Sequence, residues 1–329
     1  MKRIVSLLLV LVLSFGVLSA CQQKDSNSQN AVTTESHAEI TSEELKYYVA
    51  MLRDMVTQGM DEQAVQDLWN TPIDGVMPED LIRDAAKEMA IKDAVLAKAA
   101  EDNSIIASDK MMETYFTERK DAIENEAEQY QVSVETVKKI YTKKTVGDMY
   151  LRMMYEEDDR FAPTVEQLQD FFLNHYYKAQ HILIMTVDGV TRLPLSQEER
   201  DAARTKVDNI LLAIKDGADF AEMMFANSED PGLEQLPDGY VFAEGDMVVE
   251  FFEGTKALSE GEISEVIESS FGYHIIKRLP LNPETDMAVS QSDVQETYKF
   301  EEEIKLIEEL KETYQISVNE AQLKEIPVR

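Results

Sequence analysis

The sequence has few of the residues that build covalent or metal-dependent sites. Its 329 residues include one cysteine, Cys21, and four histidines. A single cysteine cannot form a disulfide within the chain, so the sequence predicts no disulfide framework. His37 and His175 have no partner residues at the spacing of metal ligands, and no glycine-rich phosphate loop is present. We therefore expect no bound metal and no cofactor.

Basic residues are also scarce. The chain has 32 Lys and Arg against 64 Asp and Glu, for a formal net charge of −32. Residues 1–20 contain two basic residues and no acid, so the rest of the chain has 30 basic and 64 acidic residues and a net charge of −34. Such a field opposes nucleic acid and anionic lipid headgroups, which excludes nucleic acid as a partner. Two explanations of this acidic charge stay open. It can keep a mostly helical surface soluble, or it can select substrates by their charge.

Long apolar runs are confined to the N-terminus. A positively charged start precedes a mostly apolar stretch, Ile4 to Val17, which is too short to span a bilayer comfortably. The next residues, Leu18 to Cys21, resemble the lipobox of bacterial lipoproteins. That resemblance implies removal of residues 1–20 and a diacylglycerol on the sulfur of Cys21, and the alternative is an ordinary secretory signal with an incidental cysteine. We predict a signal peptide at 1–20 and an extracytoplasmic protein that is lipid-anchored to the outer face of the cell membrane.

The first half of the remaining chain has helical patterns. Residues 21–40 are rich in Ser, Asn, Gln and Thr, which predicts a flexible tether. From 41 to 174, apolar residues recur at helical spacing without a convincing strand, so this region is predicted to be all helical. Its predicted helix starts and segments are the capping box Thr41–Glu44, Met77–Asp80 with proline in the first turn, 110–125, 134–155 and the capping sequence Thr164–Gln167.

The periodicity changes at Gln180, where short apolar segments replace the long helical ones. The order along the chain becomes strand, helices and then strands. The predicted elements are a strand at 181–186, helices at 196–217 and 220–226, Gly- and Pro-bearing loops, and strands near 263–268 and 273–278.

The last helix is predicted at 291–314. Its apolar residues form one stripe between Glu- and Lys-rich faces, and an isolated helix would leave that stripe in water. We therefore predict that it packs back on the N-terminal helices and completes one domain from two separated segments. A self-dimerising coiled coil has little support, because about three heptads show irregular spacing. The stripe consists of Val294, Tyr298, Ile304, Ile307, Leu310 and Tyr314.

A set of short motifs spans the region from 178 to 281. The motifs are Lys-Ala-Gln-His-Ile-Leu-Ile (178–184), Asn-Ser-Glu-Asp (227–230), Gly-Asp-Met-Val-Val-Glu-Phe (245–251), Gly-Glu-Ile-Ser (261–264) and Phe-Gly-Tyr-His-Ile-Ile-Lys (271–277). In this order they resemble the parvulin peptidyl-prolyl isomerases, which rotate the bond preceding a proline. The resemblance implies a small antiparallel sheet flanked by helices. The helical region resembles, at the level of pattern, the chaperone domain of PrsA-type and SurA-like foldases.

The resemblance also implies roles for particular side chains. In the family, two histidines meet across the sheet beside a hydroxyl, a carboxylate or thiol tunes the electrostatics near the rotating bond, and apolar residues grip the proline ring. The predicted catalytic residues are His181, Asp230, Ser269 and His274, and the predicted substrate-binding residues are Phe242, Met247 and Phe251.

Taken singly, these residues have plainer interpretations. Met247 on a strand edge would usually be a core residue, and His274 in an apolar strand is more often a satisfied buried histidine. Asp230 precedes Pro-Gly and alone fits a turn. Within the family, too, the histidines can serve to hold the fold. The prediction depends on the ordered set and not on one residue.

Two positions depart from the family pattern. Family members usually carry Gly-Gly-Asp-Leu-Gly where this chain has Leu-Pro-Asp-Gly-Tyr at 236–240, so one wall of the pocket is altered and weak catalysis is expected. Lys256 stands where phenylalanine is common. In addition, the segment 186–194 offers only Arg192 as a basic residue, so recognition of a phosphate before the proline is not expected.

These patterns predict an α+β fold in which a parvulin domain is inserted into an all-helical chaperone domain. The predicted domains are a lipoprotein signal peptide (1–20), a tether (21–40), a helical SurA-like chaperone domain (41–174), a parvulin peptidyl-prolyl isomerase domain (175–282) and a C-terminal helical segment that packs back on the N-terminal helices (283–329).

The predicted function is that of a lipid-anchored foldase, a peptidyl-prolyl isomerase and chaperone whose partners are unfolded or newly secreted polypeptides with Xaa-Pro bonds. One rival is a holdase chaperone with a catalytically decayed parvulin domain. Another is a solute-binding lipoprotein, which would require an α/β fold with a cleft between two lobes. A third is a purely structural envelope lipoprotein. Monomer and dimer are both left open.

Overall fold

The structure, a computed structural model, describes residues 40–329 with the exception of 74, 290 and 317. The predicted signal peptide, the predicted lipidation site Cys21 and His37 lie outside the described residues. None of the helices in the described ranges combines the length and the apolar character that crossing a bilayer requires.

The described chain divides into two compact units. The helical unit comprises the residues up to 162 together with 300–329, and the second unit comprises 163–299. In chain order the elements are α1 (Ser42–Thr57), α2 (Glu62–Asn70), α3 (Pro78–Asp102), α4 (Asp109–Glu118), α5 (Lys120–Tyr130), α6 (Val134–Glu157), α7 (Val165–His175), β1 (Tyr176–Met185), α8 (Gln197–Lys215), α9 (Phe220–Asn227), β2 (Tyr240–Ala243), α10 (Val249–Lys256), β3 (Ile267–Glu268), β4 (Gly272–Leu279), α11 (Gln291–Tyr314) and α12 (Glu320–Glu325), with short 3₁₀ turns at Asp159–Phe161 and Met287–Val289.

Helix α3 carries the core of the helical unit. Its buried face is rich in alanine, and short side chains let α1 and α6 approach its backbone closely. The buried alanines of α3 are Ala85, Ala86, Ala90, Ala94, Ala99 and Ala100.

The predicted capping box at the start of α1 is present and also ties α1 to α6. Thr41 Oγ1 accepts a hydrogen bond from Glu44 N (3.2 Å), and Glu44 Oε2 accepts one from Thr41 N (2.8 Å). Glu44 is only 2% exposed and pairs with Lys143 at 2.6 Å and Lys139 at 3.4 Å. Burial opposes its charge, yet the hydrogen bonds from Lys143 and Thr41 and the two lysine charges hold the pKa of Glu44 below its usual value.

In the structure α11, the helix predicted to be the last, packs on helices of the N-terminal region. Leu306, Ile307 and Leu310 of α11 are buried against a cluster that includes Leu96 of α3 and Tyr150 of α6. The predicted stripe needs correction, since Tyr298, Ile304 and Tyr314 are only half-buried. Leu306, which was not part of the predicted stripe, lies in the core. The reason is rotational: the buried face of the helix is centred on 306, 307 and 310, and position 304 lies at its edge.

The second unit is built on an antiparallel sheet. Within the described residues its strand order is β2-β1-β4-β3. One face carries Ile182, Ile184 and Ile275, which pack under α8 and α9. The opposite face carries Ala179 and Ile276, which pack under α10 together with the aromatic residues described below. The α+β class predicted from the sequence, with a small antiparallel sheet inserted in a helical fold, is confirmed.

Several predicted element bounds differ from those of the structure. The region after Asn227 was predicted as loops but contains β2 and α10, while the predicted strand at 263–268 is reduced to β3 and an isolated bridge between Ile263 and Lys277. The first strand begins at Tyr176, and the predicted helix at 110–125 is interrupted at Arg119, between α4 and α5. These elements are short, and pairing and packing with distant residues determine them more than local propensity does.

The second unit extends beyond 175–282 on both sides. Helix α7 packs Leu168 and Phe172 against Tyr176, Met287 and Val294. The start of α11 therefore belongs to the same compact unit as the sheet, and the boundary at 299 falls inside that helix.

Candidate functional site

The sheet places two histidines side by side on the face covered by α10. His181 on β1 pairs in register with Ile276, and His274 on β4 pairs with Leu183. The two histidines are therefore diagonal neighbours on the same face, within reach of ring contact. Their ring centroids are 5.5 Å apart with an interplanar angle of 74°.

Ser269 fixes one of the two rings. It lies in the turn between β3 and β4, and its Oγ is 2.7 Å from Nε2 of His274, a hydrogen-bond distance. The same Oγ accepts a hydrogen bond from Phe271 N (3.1 Å), so the hydroxyl is itself held in place. Within the described part of the chain, Nδ1 of His274 and both ring nitrogens of His181 have no hydrogen-bond partner.

Burial keeps both histidines uncharged. It lowers the pKa of His274 to about 3, assisted by the neighbouring His181 and opposed by Asp230. The pKa of His181 is also lowered by burial, again against the attraction of Asp230. At neutral pH the pair therefore consists of two neutral rings, which give the site a polar but uncharged lining.

Asp230 supplies the carboxylate of the site from the loop after α9. Its Oδ1 accepts a hydrogen bond from Gly232 N (3.2 Å), and its Oδ2 accepts one from the Tyr240 hydroxyl (2.6 Å). Nε2 of His181 lies 3.5 Å from the same Oδ2, which is too long for a well-formed hydrogen bond. The carboxylate is thus anchored by the loop and the tyrosine and is only adjacent to the histidine.

A group of apolar side chains, called the cup below for the role proposed for it, adjoins this polar cluster. Phe242 and Phe251 are almost fully buried, with ring centroids 5.5 Å apart. Phe251 also meets both histidines edge-on, with centroids 5.0 Å from His181 and 5.5 Å from His274. Met247, just before α10, is half-buried and packs on the same cluster. A cup with aromatic walls and a flexible thioether at its rim suits a small apolar ring such as that of proline.

The structure brings together all of the predicted catalytic and substrate-binding residues that it describes. They come from β1, the loop after α9, β2, the start of α10, the β3–β4 turn and β4. Cys21 lies outside the described residues. Across the described ranges, no group of three or more His, Cys, Asp or Glu side chains is arranged to hold a metal ion. The roles predicted for the individual residues remain predictions.

Comparison with known proteins finds a family that is similar to most of this unit. Residues 167–279 match the PPIC-type PPIASE domain. These residues are similar to the parvulin-type peptidyl-prolyl isomerases, and they are called the parvulin domain below. The match encloses every strand of the sheet and each residue of the site, so the parvulin domain and the cluster described above are the same part of the chain.

Longer similarities extend outside the parvulin domain. A foldase protein PrsA of Caldanaerobacter subterraneus is 23% identical over 286 residues, which cover 84% of this chain and 82% of the relative. A second foldase protein PrsA, of Oceanobacillus iheyensis, is 30% identical over 60% of each chain. A chaperone SurA of Saccharophagus degradans is 39% identical over 102 residues, which cover 30% of this chain and 22% of the relative.

One residue of the parvulin site, Tyr240, is not among the residues predicted from the sequence. Tyr240 falls in the segment interpreted only as an altered pocket wall, yet its hydroxyl binds Asp230 and its ring stacks on His181. The sequence does contain a pattern that points to Tyr240, because Tyr240 and Phe242 alternate with smaller residues at a period of two. That alternation predicts a short strand with both rings on one face.

Proposed function

We propose that this protein is a lipid-anchored extracytoplasmic foldase that isomerises Xaa-Pro bonds in unfolded secreted polypeptides and also acts on them as a chaperone. The observation that carries the proposal is the apolar cup beside a neutral histidine pair and an anchored carboxylate in the parvulin domain. The names of the relatives, foldase and chaperone, support both activities.

The chemistry of the reaction explains why such a cup suffices. The barrier to prolyl isomerisation, ~18–20 kcal/mol, arises from amide resonance that is lost as the bond twists. A catalyst must therefore hold the proline ring and favour the twisted amide over both planar forms, without a nucleophile or a metal. In the proposal, Met247, Phe242 and Phe251 hold the ring. The polar residues that face the amide are His181, Asp230, Ser269 and His274.

The rest of the chain has proposed roles consistent with this activity. Residues 1–20 are the proposed signal peptide, Cys21 is the lipid-bearing residue, and the segment to residue 40 tethers the fold to the outer face of the membrane. The helical chaperone domain (41–174 with 283–329) holds unfolded chains, and the parvulin domain (175–282) acts on them. Tethering raises the local concentration of the foldase where clients emerge, so weak contacts are sufficient. Unfolded polypeptides are the proposed partners of either a monomer or a dimer.

Replacement of Met247 by alanine tests the proline cup. We expect Met247→Ala to lower kcat/KM for an unphosphorylated Ala-Pro peptide by about ten- to a hundredfold, because burial of the thioether side chain stabilises the bound ring by about 1.5–3 kcal/mol. The measurement is NMR exchange with the chain from residue 22 onward, which retains every described residue. Met223→Ala is the matched control, since Met223 is also half-buried in this domain but packs on the opposite face of the sheet. Equal rates for Met247→Ala and wild type would contradict the assignment of the cup.

The main alternative is a holdase whose isomerase site has decayed. The segment 236–240, which departs from the usual parvulin pattern, favours it. A wild-type chain that suppresses aggregation of an unfolded test protein, without accelerating exchange of the Ala-Pro peptide, would establish this alternative and remove the isomerase from the proposal. The solute-binding rival is disfavoured, since the fold is helical with an antiparallel sheet and not an α/β fold.

The lipid anchor is tested at Cys21. In cells fed radiolabelled palmitate, we expect label on the wild-type protein and a mature N-terminus at residue 21. A Cys21→Ser variant should lose the label and keep residues 1–20, because the serine cannot form the thioether to diacylglycerol. The Met247→Ala variant, whose N-terminal segment is intact, should be labelled like the wild type. Persistent label on Cys21→Ser, or none on the wild type, would refute the anchor.

A further inference from the structure

Tyr240 makes two different contacts at the parvulin site, a hydrogen bond through its hydroxyl and a stacking contact through its ring. Its hydroxyl donates a 2.6 Å hydrogen bond to Asp230 Oδ2, while its ring stacks on His181 with centroids 5.6 Å apart and an interplanar angle of 16°. Strand pairing sets this position, because Tyr240 pairs with Ala179 on β1 and so lies on the same face as His181, two residues farther along that strand.

Asp230 depends on that hydroxyl for its geometry. Its Oδ1 is held by Gly232 N, but its Oδ2, the oxygen 3.5 Å from His181, has the tyrosine as its hydrogen-bond donor. Without the hydroxyl, Oδ2 could turn toward the unpartnered nitrogen of His181. The tyrosine therefore separates a carboxylate and an imidazole that would otherwise attract each other.

Gly232 provides independent support for a specific place for the hydroxyl. A Cβ added at Gly232 would lie 2.1 Å from the Tyr240 hydroxyl oxygen, which is too close for any real contact. The same added atom would lie 3.6 Å from Asp230 Oδ2, an ordinary van der Waals distance. The chain thus lacks a side chain at the point where the tyrosine hydroxyl lies.

We propose that Tyr240 is a positioning residue for prolyl isomerisation, whose hydroxyl holds the Asp230 carboxylate off His181 and whose ring fixes the plane of that histidine. The inference rests on the proposed isomerase activity. A polar group fixed before the amide twists needs no reorganisation during the reaction, and this is the general source of electrostatic catalysis. A purely structural role, in which the ring only fills space beside His181, is the competing explanation.

Tyr240→Phe separates the two roles, because it keeps the ring and removes only the oxygen. We expect kcat for the Ala-Pro peptide to fall about tenfold, less than the ~100-fold that a 1 Å misplacement can cost, while KM stays within about twofold because the cup is intact. The titratable groups that face His181 are Asp230, Tyr240 and His274, and α10 contributes the apolar Phe251. Freed from the hydroxyl, Asp230 should approach His181 and raise its pKa. The NMR titration of His181 and the acid limb of the pH–rate profile should therefore both move to higher pH.

Gly232→Ala tests the same hydroxyl without changing Tyr240, because the added methyl group would collide with the hydroxyl oxygen. It should displace the oxygen, lower kcat similarly and shift the His181 titration in the same direction. In a Tyr240→Phe background, where no hydroxyl remains to be displaced, it should have little further effect, so the two changes should not add.

The outcomes separate the inference from the proposed function. If Tyr240→Phe retains the wild-type kcat and His181 titration, Tyr240 is a packing residue and the inference is overturned while the isomerase stands. If the wild-type chain itself does not accelerate exchange, the isomerase proposal fails and the inference fails with it. A tenfold loss of kcat with a shifted titration and an unchanged melting temperature supports the positioning role.

Discussion

Acidification from pH 6 to pH 4 is expected to destabilise the parvulin domain, and a His274→Gln substitution should remove a large share of that loss. Burial lowers the pKa of His274 to about 3, from an ordinary value of 6.5 that the unfolded chain regains. Below pH 6.5 the unfolded state therefore binds a proton that the folded state does not accept. Stability is fully present above that pH and is lost as the pH falls toward 3.

The expected size of the effect follows from this difference in proton binding. One proton taken up on unfolding costs about 1.4 kcal/mol of stability per pH unit, so His274 alone should account for about 2–3 kcal/mol between pH 6 and pH 4. His181, whose pKa burial also lowers, adds to the same trend. The strongly acidic surface acts in the opposite sense, because protonation of carboxylates relieves its self-repulsion. The acidic surface is the same in wild type and His274→Gln, so the difference between their stability losses on acidification gives the contribution of His274.

Urea unfolding at a series of pH values measures this slope. NMR signals of the Ile275 and Ile276 methyl groups report the parvulin domain, while fluorescence of Trp69, buried in the helical unit and the one tryptophan of the sequence, serves as an internal control. His175→Gln is the matched variant, because this histidine is exposed on α7 in the same unit. If His274→Gln and wild type lose stability in parallel below pH 6, the lowered pKa of His274 is contradicted.

Gly239→Ala should destabilise the parvulin domain far more than Gly217→Ala does. Both glycines have nearly the same left-handed backbone, with φ of +101° and +104°. An alanine at either position should therefore cost about 1–2 kcal/mol in backbone strain. At Gly217 an added Cβ has no atom within 4 Å, whereas at Gly239 it would lie 2.8 Å from the Ala179 carbonyl oxygen on β1.

The contact with Ala179 adds a second cost at Gly239 only. The strands β1 and β2 must separate to admit the methyl group, which should cost about 1–3 kcal/mol beyond the strain. Urea unfolding of the two variants, followed by the same methyl signals, gives the difference directly. Because Tyr240 is the next residue, Gly239→Ala should also lower kcat of the folded fraction, and Gly217→Ala should not. Equal losses of stability in the two variants would show that the contact with the Ala179 carbonyl oxygen adds nothing to the free energy cost of the substitution at Gly239.

The parts of the fold that local interactions determine were predictable from the sequence. The capping boxes at Thr41, Thr164 and Ser196 all begin helices in the structure, because each is a contact over three residues. Helix α11 has the predicted bounds, because apolar residues that recur at helical spacing over a long segment are a clear signal for a helix.

The elements that were missed are those that distant contacts define. Strand β2 has four residues, and its register exists only through pairing with β1. Helix α10 has eight residues and is held by the sheet under it, through Phe251 and Phe252. Tyr240 lies on β2, and the aspartate and the glycine next to its hydroxyl approach it only after the sheet forms. Motif order could identify the predicted site residues, but it could not show which side chain anchors the carboxylate.

The division of the helical unit between two ends of the chain determines when that unit can be completed. Its core needs Leu306 and Leu310 from α11, and Lys92 on α3 pairs with Glu303 at 2.8 Å. A chain that emerges N-terminus first delivers residues 163–299 before these partners. The second unit therefore has all of its own residues available before the helical unit does. The helical unit is completed only when the last helices have been synthesised.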